Sequence, residues 1–295
     1  MDKTVLNTNL PGLELFSRGK VRELYNIGED KLLFVATDRI SAYDPIEGKG
    51  KILTQFCTFW FDMFKDIVPN HLITASADEM PLEVQQHKDI IENRCLLVKK
   101  LKVLPIEAIV RGYLSGSAWT EYQISSTVCG IELPPNMKVS QKFHTPIFTP
   151  STKADLGDHD MNIHPDKVKE MIGEELATQM ERISIELYQR AAEYALKRGI
   201  IIADTKFEFG VDENGIIHLI DEVLTPDSSR FWPSAQYKVG IPQNSYDKQY
   251  LRDYLESIDF DKQTSIDLPP TVADNTIRKY IEAYVKLTGS RPQLL

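Results

Sequence analysis

Residues 200–222 read IIIADTKFEFGVDENGIIHLIDE, two β-rich runs around Asn214-Gly215. Asn-Gly between such runs is a strong hairpin signal, because a tight turn needs φ > 0 at its central residues. With those two residues as the turn, Val211 faces His218, Phe209 faces Ile220 and Glu208 faces Asp221. Carboxylates directly opposite each other lie about 5 Å apart at Cβ and repel unless a cation sits between them. Strand alternation adds Asp204 and Lys206 to the same face, with Phe207, Phe209 and Ile220 packing on the other. A four-residue loop keeps both acids together, whereas a three-residue loop separates them. Mg²⁺ held by one or two carboxylates and by substrate phosphates matches such a pair. Taken alone, the hairpin reads more simply as a solvated charged face neutralised by Lys206, and the segments below reverse that reading.

The 295 residues suffice for two domains or one large one, and 42% hydrophobic with 26% charged residues is ordinary for a globular protein. No signal-peptide pattern or membrane-length apolar run is present. Cys57, Cys95 and Cys129 lack CxxC spacing, which fits a reducing compartment, so the cytoplasm is the expected location. A net charge of −9 argues against nucleic acid as a partner, since that affinity rests on phosphate neutralisation. Anionic small molecules then require local clusters of Arg and Lys.

The N-terminal part reads as antiparallel strands over Leu13–Ser17, Val21–Tyr25 and Lys31–Thr37. Thr54–Ile67 has helical spacing of Phe56, Phe59, Trp60, Met63, Phe64 and Ile67, with Thr54 as the expected N-cap. Strands over Arg94–Lys100 and Ile106–Val110 flank a bend at Pro105, the expected domain joint: 1–104 β-rich, 105–295 α/β. A polar, Pro-rich passage follows over Glu132–Pro150. Asp166–Arg198 reads as a helix broken near Gly173 and ended by Gly199. Asp247–Ile258 and Val272–Leu287 read as surface helices.

Five further segments carry basic or hydroxyl residues, four of them beside Gly or Pro. Arg18, Gly19, Lys20, Val21 and Arg22 link two early strands as a basic turn, and a glycine there lets backbone N–H groups approach a phosphate, although GxxxxGK[ST] is absent. Arg111 precedes Ser117, read as a helix N-cap, and a helix N-terminus with a hydroxyl and a guanidinium suits a phosphate. Asp227 and Arg230 lie in TPDSSR directly after the acids. Lys153 and Asp158 lie in a Gly-containing loop, and Lys248 and Arg252 share a helix face, where a surface ion pair is the simpler reading.

These segments together resemble the SAICAR synthetase family. The matching stretches are SRGKVRELY, ATDRISAYD, GKGKILTQFCTFWF, EAIVRGYLSGSAW, FTPSTKADLGDHD, IIIADTKFEFG, IDEVLTPDSSRFW and SYDKQYLRDYL, in the family's order. The resemblance implies an α+β/α/β fold: a mostly antiparallel β domain, a larger α/β domain, and ATP in the cleft between, as in kinase-like and ATP-grasp enzymes. It implies an ATP-dependent ligase of purine biosynthesis that joins L-aspartate to phosphoribosyl-aminoimidazole carboxylate (CAIR) through an acyl phosphate. It assigns Arg18, Gly19, Lys20 and Val21 to ATP, and Glu208 and Asp221 to Mg²⁺. Arg111, Ser117, Asp227, Arg230, Lys248 and Arg252 fall to the substrate, and Lys153, Asp158, Asp204 and Lys206 to catalysis. Adenine is expected near Val98–Leu104. A monomer acting on small molecules is expected, without nucleic acid, membrane or a fused carboxylase domain. A small-molecule kinase with the same ATP site and a non-catalytic nucleotide-binding regulator are the alternatives.

Overall fold

The computed structural model describes residues 4–40, 45–153, 161–260 and 268–294. The first part holds β1 (Glu14–Arg18), β2 (Arg22–Ile27), β3 (Lys31–Ala36), α1 (Lys49–Phe64), β4 (Leu72–Thr74), single turns α2 (Leu82–Gln85) and α3 (Lys88–Ile91), and β5 (Cys95–Lys99). Its strands form one antiparallel sheet in the order β1-β2-β3-β5-β4. Then come β6 (Lys102–Val103), β7 (Ile106–Tyr113), α4 (Gly116–Ser125), β8 (Thr127–Val128), β9 (Ile131–Glu132), β10 (Lys142–Phe148), β11 (Ser151–Thr152), α5 (Pro165–Ile172) and α6 (Glu174–Leu196). The chain continues through β12 (Ile200–Val211), β13 (Ile217–Ile220), β14 (Ser229–Pro233), α7 (Gln249–Ser257) and α8 (Pro270–Thr288).

The second sheet runs β10-β7-β12-β13, with β6 and β14 also on β12 and β11 on β7. β12 is its spine: twelve residues long, and buried everywhere except at half-buried Lys206. A strand covered on both faces cannot show polar–apolar alternation, and this one carries its charges inside. Phe207 and Phe209 join α6 side chains such as Ile183, Leu187 and Ala191 in the main core. The α1 stripe packs there too: Phe56, Trp60 and Phe64 are buried, and Trp60 stacks on Phe64 with 5.5 Å between ring centroids.

Two ties join the sheets. Leu219 of β13 exchanges backbone bonds with the run before β4, His71 N–H to Leu219 O at 3.1 Å and Leu219 N–H to Pro69 O at 2.9 Å. Trp60 Nε1 donates to Leu224 O at 3.1 Å. The molecule is thus a mixed α+β fold in which the first sheet abuts the end of the β12–β13 hairpin.

Several expectations need correction. Helix α1 starts at Lys49, and Thr54 lies inside it, its hydroxyl donating to Gly50 O instead of capping. The N-cap of α4 is Ser115, and Ser117 sits in the first turn. The passage 132–150 contains β10, whose bulged pairing with β7 obscures any strand period. Helix α8 is no surface element, because Tyr280, Ala283 and Leu287 are fully buried.

The hairpin register also differs. Observed partners are Glu208–Ile220, Phe209–Leu219, Gly210–His218 and Val211–Ile217. The cause is Asp212, whose Oδ1 accepts from Asn214 N and Ile216 N, both at 2.9 Å. This closes a three-residue turn with Gly215 at φ 77°. Leu219, not Ile220, therefore takes the core side.

Candidate active site

A one-residue shift places Asp221 on the wrong face for Glu208, yet the two acids still meet. Asp221 lies just past β13 with φ 63°, and this left-handed turn, tolerated by Asp, swings its carboxylate back. Lys206 Nζ lies 2.5 Å from Glu208 Oε1 and 3.6 Å from Asp221 Oδ2. It also reaches Glu107 at 3.9 Å. Lys153 Nζ pairs with Glu208 Oε2. Across from β12, Arg22 Nη2 lies 2.6 Å from Asp221 Oδ1 and 3.9 Å from Glu222 Oε2.

These seven groups thus converge where the two sheets meet. Burial disfavours ionised Asp221, but Arg22 and Lys206 outweigh it and hold the carboxyl well below its usual range. Burial likewise opposes Lys206 and Arg22, and the surrounding acids overcome it and raise both. Glu222 goes the other way: burial, with Asp227 adding, raises it, and Thr225 Oγ1 donates to it. Among the described residues no cluster of three or more His, Cys, Asp or Glu could hold a metal. The donor set of Glu208 and Asp221 nonetheless fits a hard cation, since one ammonium reaches both carboxylates.

A second cluster lies at the other end of the same β12 face. Asp204 is not beside Glu208. Its oxygens accept from Arg230 Nη1 at 3.0 and 2.7 Å, from Arg111 Nη1 at 3.2 Å and from Ser115 Oγ at 3.3 Å. Arg111 also donates to Thr149 Oγ1 at 2.9 Å and Ser117 Oγ at 3.3 Å. Two guanidiniums share one carboxylate beside the start of α4, which leaves excess positive charge where free N–H groups point. Gly116 is required here: a Cβ would lie 2.2 Å from Arg230 Nη2, and φ is 56°. From Asp204 to Glu208 is four residues, roughly 13 Å of strand.

The β1–β2 loop leads into Arg22, which reaches Asp221. Arg39 takes the carbonyls of Gly19 (2.8 Å) and Lys20 (3.1 Å), and Thr37 N takes that of Val21 at 2.9 Å. In a planar trans peptide, C=O and the next N–H point opposite ways, so Lys20 and Val21 turn their N–H groups away from Arg39. Arg18 is half exposed and pairs with Glu23 at 2.8 Å.

Asp227 sits in a third, buried group with Lys49 at 2.7 Å. Lys248 precedes α7, and its amine is pushed down by burial, against Asp227 and together with Lys49. Arg252 is exposed one turn on. Asp158 lies outside the described residues.

Sequence reasoning overlooked Lys49, Glu222, Tyr280 and Ser115, and read Arg22 only as part of a basic turn. The two glycines around Lys49 were the available signal.

The Asp227 group yields a pH prediction. Burial opposes its ionisation, but Lys49, Lys248 and the Tyr280 hydroxyl prevail and hold it at about 2. An unfolded Asp titrates near ~3.9. The stabilisation is therefore present above about pH 4 and lost as pH falls through the folded value. Urea unfolding of the parent and Asp227→Asn should differ by about 2–3 kcal/mol more at pH 7 than near pH 2. An equal difference at both pH values contradicts the ion pair.

A family model for SAICAR synthetase matches residues 15–267. Curated relatives named phosphoribosylaminoimidazole-succinocarboxamide synthase include those of Maridesulfovibrio salexigens (52% identical, 98% of this chain, 99% of the relative) and Desulfotalea psychrophila (54% identical, 98% and 100%). Among solved structures, SAICAR synthase from Saccharomyces cerevisiae complexed with SAICAR superposes with TM-score 0.90 at 47% identity, covering 97% of this chain and 99% of that one. A type-2 SAICAR synthetase in complex with ADP gives TM-score 0.70 at 26% identity, covering 94% and 99%. The antiparallel first sheet, the β12-centred second sheet and the full-length matches agree, and this chain belongs to the SAICAR synthetase family of purine-biosynthetic ligases.

Proposed function

We propose that this enzyme joins L-aspartate to the carboxylate of CAIR, with ATP becoming ADP and phosphate. The observation that carries this reading is the single face of β12, with acids and Lys206 at one end and the Arg111–Arg230 pair at the other. A carboxylate is a poor electrophile. A CAIR carboxylate oxygen bonds to the γ-phosphorus while the bond to the β–γ bridging oxygen breaks and ADP departs. The aspartate nitrogen then attacks the acyl carbon, the acyl C–O bond breaks, phosphate leaves with its electrons, and the amine loses a proton to solvent. Such transfers need mainly positioning and charge neutralisation.

In this reading the 1–104 unit covers the nucleotide through Arg18, Gly19, Lys20 and Val21, with adenine near Val98–Leu104. Arg111, Ser117 and Arg230 hold the ribose phosphate of CAIR, and Asp204 orients both arginines. Lys206, with Lys153 and Asp158, balances charge around the reacting groups. Lys248 and Arg252 line the substrate side. Glu208 and Asp221 would hold Mg²⁺, which when bound neutralises phosphate oxygens. The place of action is the cytoplasm.

ADP release is measured with ATP, Mg²⁺ and CAIR, with and without L-aspartate. Release that requires L-aspartate, with an amide product, is expected. Equal release without the amine indicates a kinase, and nucleotide binding without turnover indicates a regulator.

A further inference from the structure

Gly48-Lys49-Gly50-Lys51 opens α1, and its packing is unusually constrained. Gly48 turns the chain at φ 80°. A Cβ on Gly50 would lie 2.5 Å from Ala36 O and 2.9 Å from Arg94 Nη1. The Gly50 N–H donates to Asp38 Oδ1 at 3.0 Å, so a buried carboxylate beyond β3 meets a free donor of the helix start. These contacts fix the rotation of α1 about its axis. Lys49, between the two glycines, is thereby driven inward, where its side chain is fully buried.

Its Nζ lies 2.7 Å from Asp227 Oδ2, and Tyr280 OH donates to Asp227 Oδ1 at 2.6 Å. Both carboxylate oxygens are thus held by scaffold helices, one by α1 and one by α8. Charged groups facing Asp227 are Lys49, Lys248 and Glu222. The turn that carries Asp227 is pinned along its main chain as well, by Lys248 N to Pro226 O (3.2 Å) and Lys206 N to Ser228 O (3.1 Å). Arg230 follows three residues after Asp227 and reaches Asp204.

We propose that Lys49 and Tyr280 are positioning residues for the sugar-phosphate site, acting through Asp227 to hold the 225–228 turn at the entry to β14 and with it Arg230, the second residue of that strand. Asp227 is then the anchor of this turn. A buried ammonium is tolerated only when paired, and removing it leaves the carboxylate buried with one fewer partner. A shift of the turn relieves this and displaces the start of β14, where Arg230 stands. The inference rests on the proposed reaction only for its kinetic readout.

Lys49→Met, Tyr280→Phe and the double variant Lys49→Met/Asp227→Asn are compared with the parent full chain. The affinity for ribose 5-phosphate is measured by calorimetry, and KM is measured separately for CAIR and for ATP. Lys49→Met is expected to weaken ribose 5-phosphate binding and raise the KM for CAIR by about tenfold, less than the hundredfold a ~1 Å misplacement can cost. Tyr280→Phe should move both in the same direction by less, with the KM for ATP unchanged. The double variant removes both members of the Lys49–Asp227 pair, so neither is left without the other, and it should regain part of the thermal stability while keeping the weakened binding. It carries the test if Lys49→Met does not fold. Parent-like ribose 5-phosphate affinity in the variants, no binding by the parent, or equal rises in both KM values overturns the proposal. A parent chain that binds ribose 5-phosphate yet leaves CAIR unchanged overturns the proposed reaction and not the positioning role, which the binding comparison decides.

Discussion

Glu208→Gln is expected to keep the fold and to cut ADP release by about 10²-fold or more, the scale of losing one fixed electrostatic partner in a water-poor site. Gln has nearly the same shape, so β12 retains its backbone pairing with β7, β13 and β6 around this position. Lys206 keeps Asp221 at 3.6 Å and Glu107 at 3.9 Å. Lys153, with 42% of its side chain exposed, can return to water. Stability should therefore fall by no more than about 3 kcal/mol, the upper range for a hydrogen bond to a charged group. What the variant loses is a charge on the face that the phosphates must approach. The enzyme would hold one carboxylate where two are proposed to take Mg²⁺, and Lys206 and Lys153 would be left with excess positive charge. Thermal unfolding together with ADP release checks this. Near-parental turnover would remove Glu208 from the metal site, and an unfolded variant would show that its role is structural.

This acid pair shows how far the sequence can be read. Local patterns place both strands, the turn region and the residues involved, because β-branched runs and Asn-Gly act within a few residues. They miss the register, since that is set by the Asp212 side chain accepting from Asn214 and Ile216. Counting alternation from the shifted register separates Glu208 from Asp221. Only the left-handed backbone at Asp221 restores the pair, and nothing local announces a non-glycine residue at φ 63°. The partner of Arg22 and the part played by Lys49 escaped for a different reason. Each acts across long sequence separations, Arg22 on Asp221 and Lys49 on Asp227, and periodicity carries no information about such contacts. Asp204 was placed on the correct face but with the wrong neighbours, because β7 and β14 flank it on either side and deliver Arg111 and Arg230. Strand β10 escaped because a bulge breaks its period. The motif order was legible where pairing was not.

Arg111→Ala is expected to raise the KM for CAIR by about 10- to 100-fold, since a hydrogen bond to a charged group contributes ~1.5–3 kcal/mol. Arg111 is buried, and its guanidinium spans Asp204, Thr149 and Ser117. Its loss halves the positive charge beside the start of α4 and leaves Asp204 to Arg230 and Ser115 alone. The KM for ATP should stay near its parental value, because the acid cluster lies at the opposite end of the β12 face, roughly 13 Å away by strand rise. Arg111→Lys separates charge from geometry. It keeps the cation but loses the planar fork that can hold Asp204 and a phosphate together. Its KM for CAIR should therefore fall between those of the parent and Arg111→Ala. Both variants should unfold at lower urea than the parent, because a partner of buried Asp204 is lost or displaced. Steady-state kinetics with CAIR and ATP varied in turn decide the matter. A KM for CAIR that stays parental in Arg111→Ala removes Arg111 from the phosphate site, and a parallel rise in both KM values assigns it to the scaffold instead.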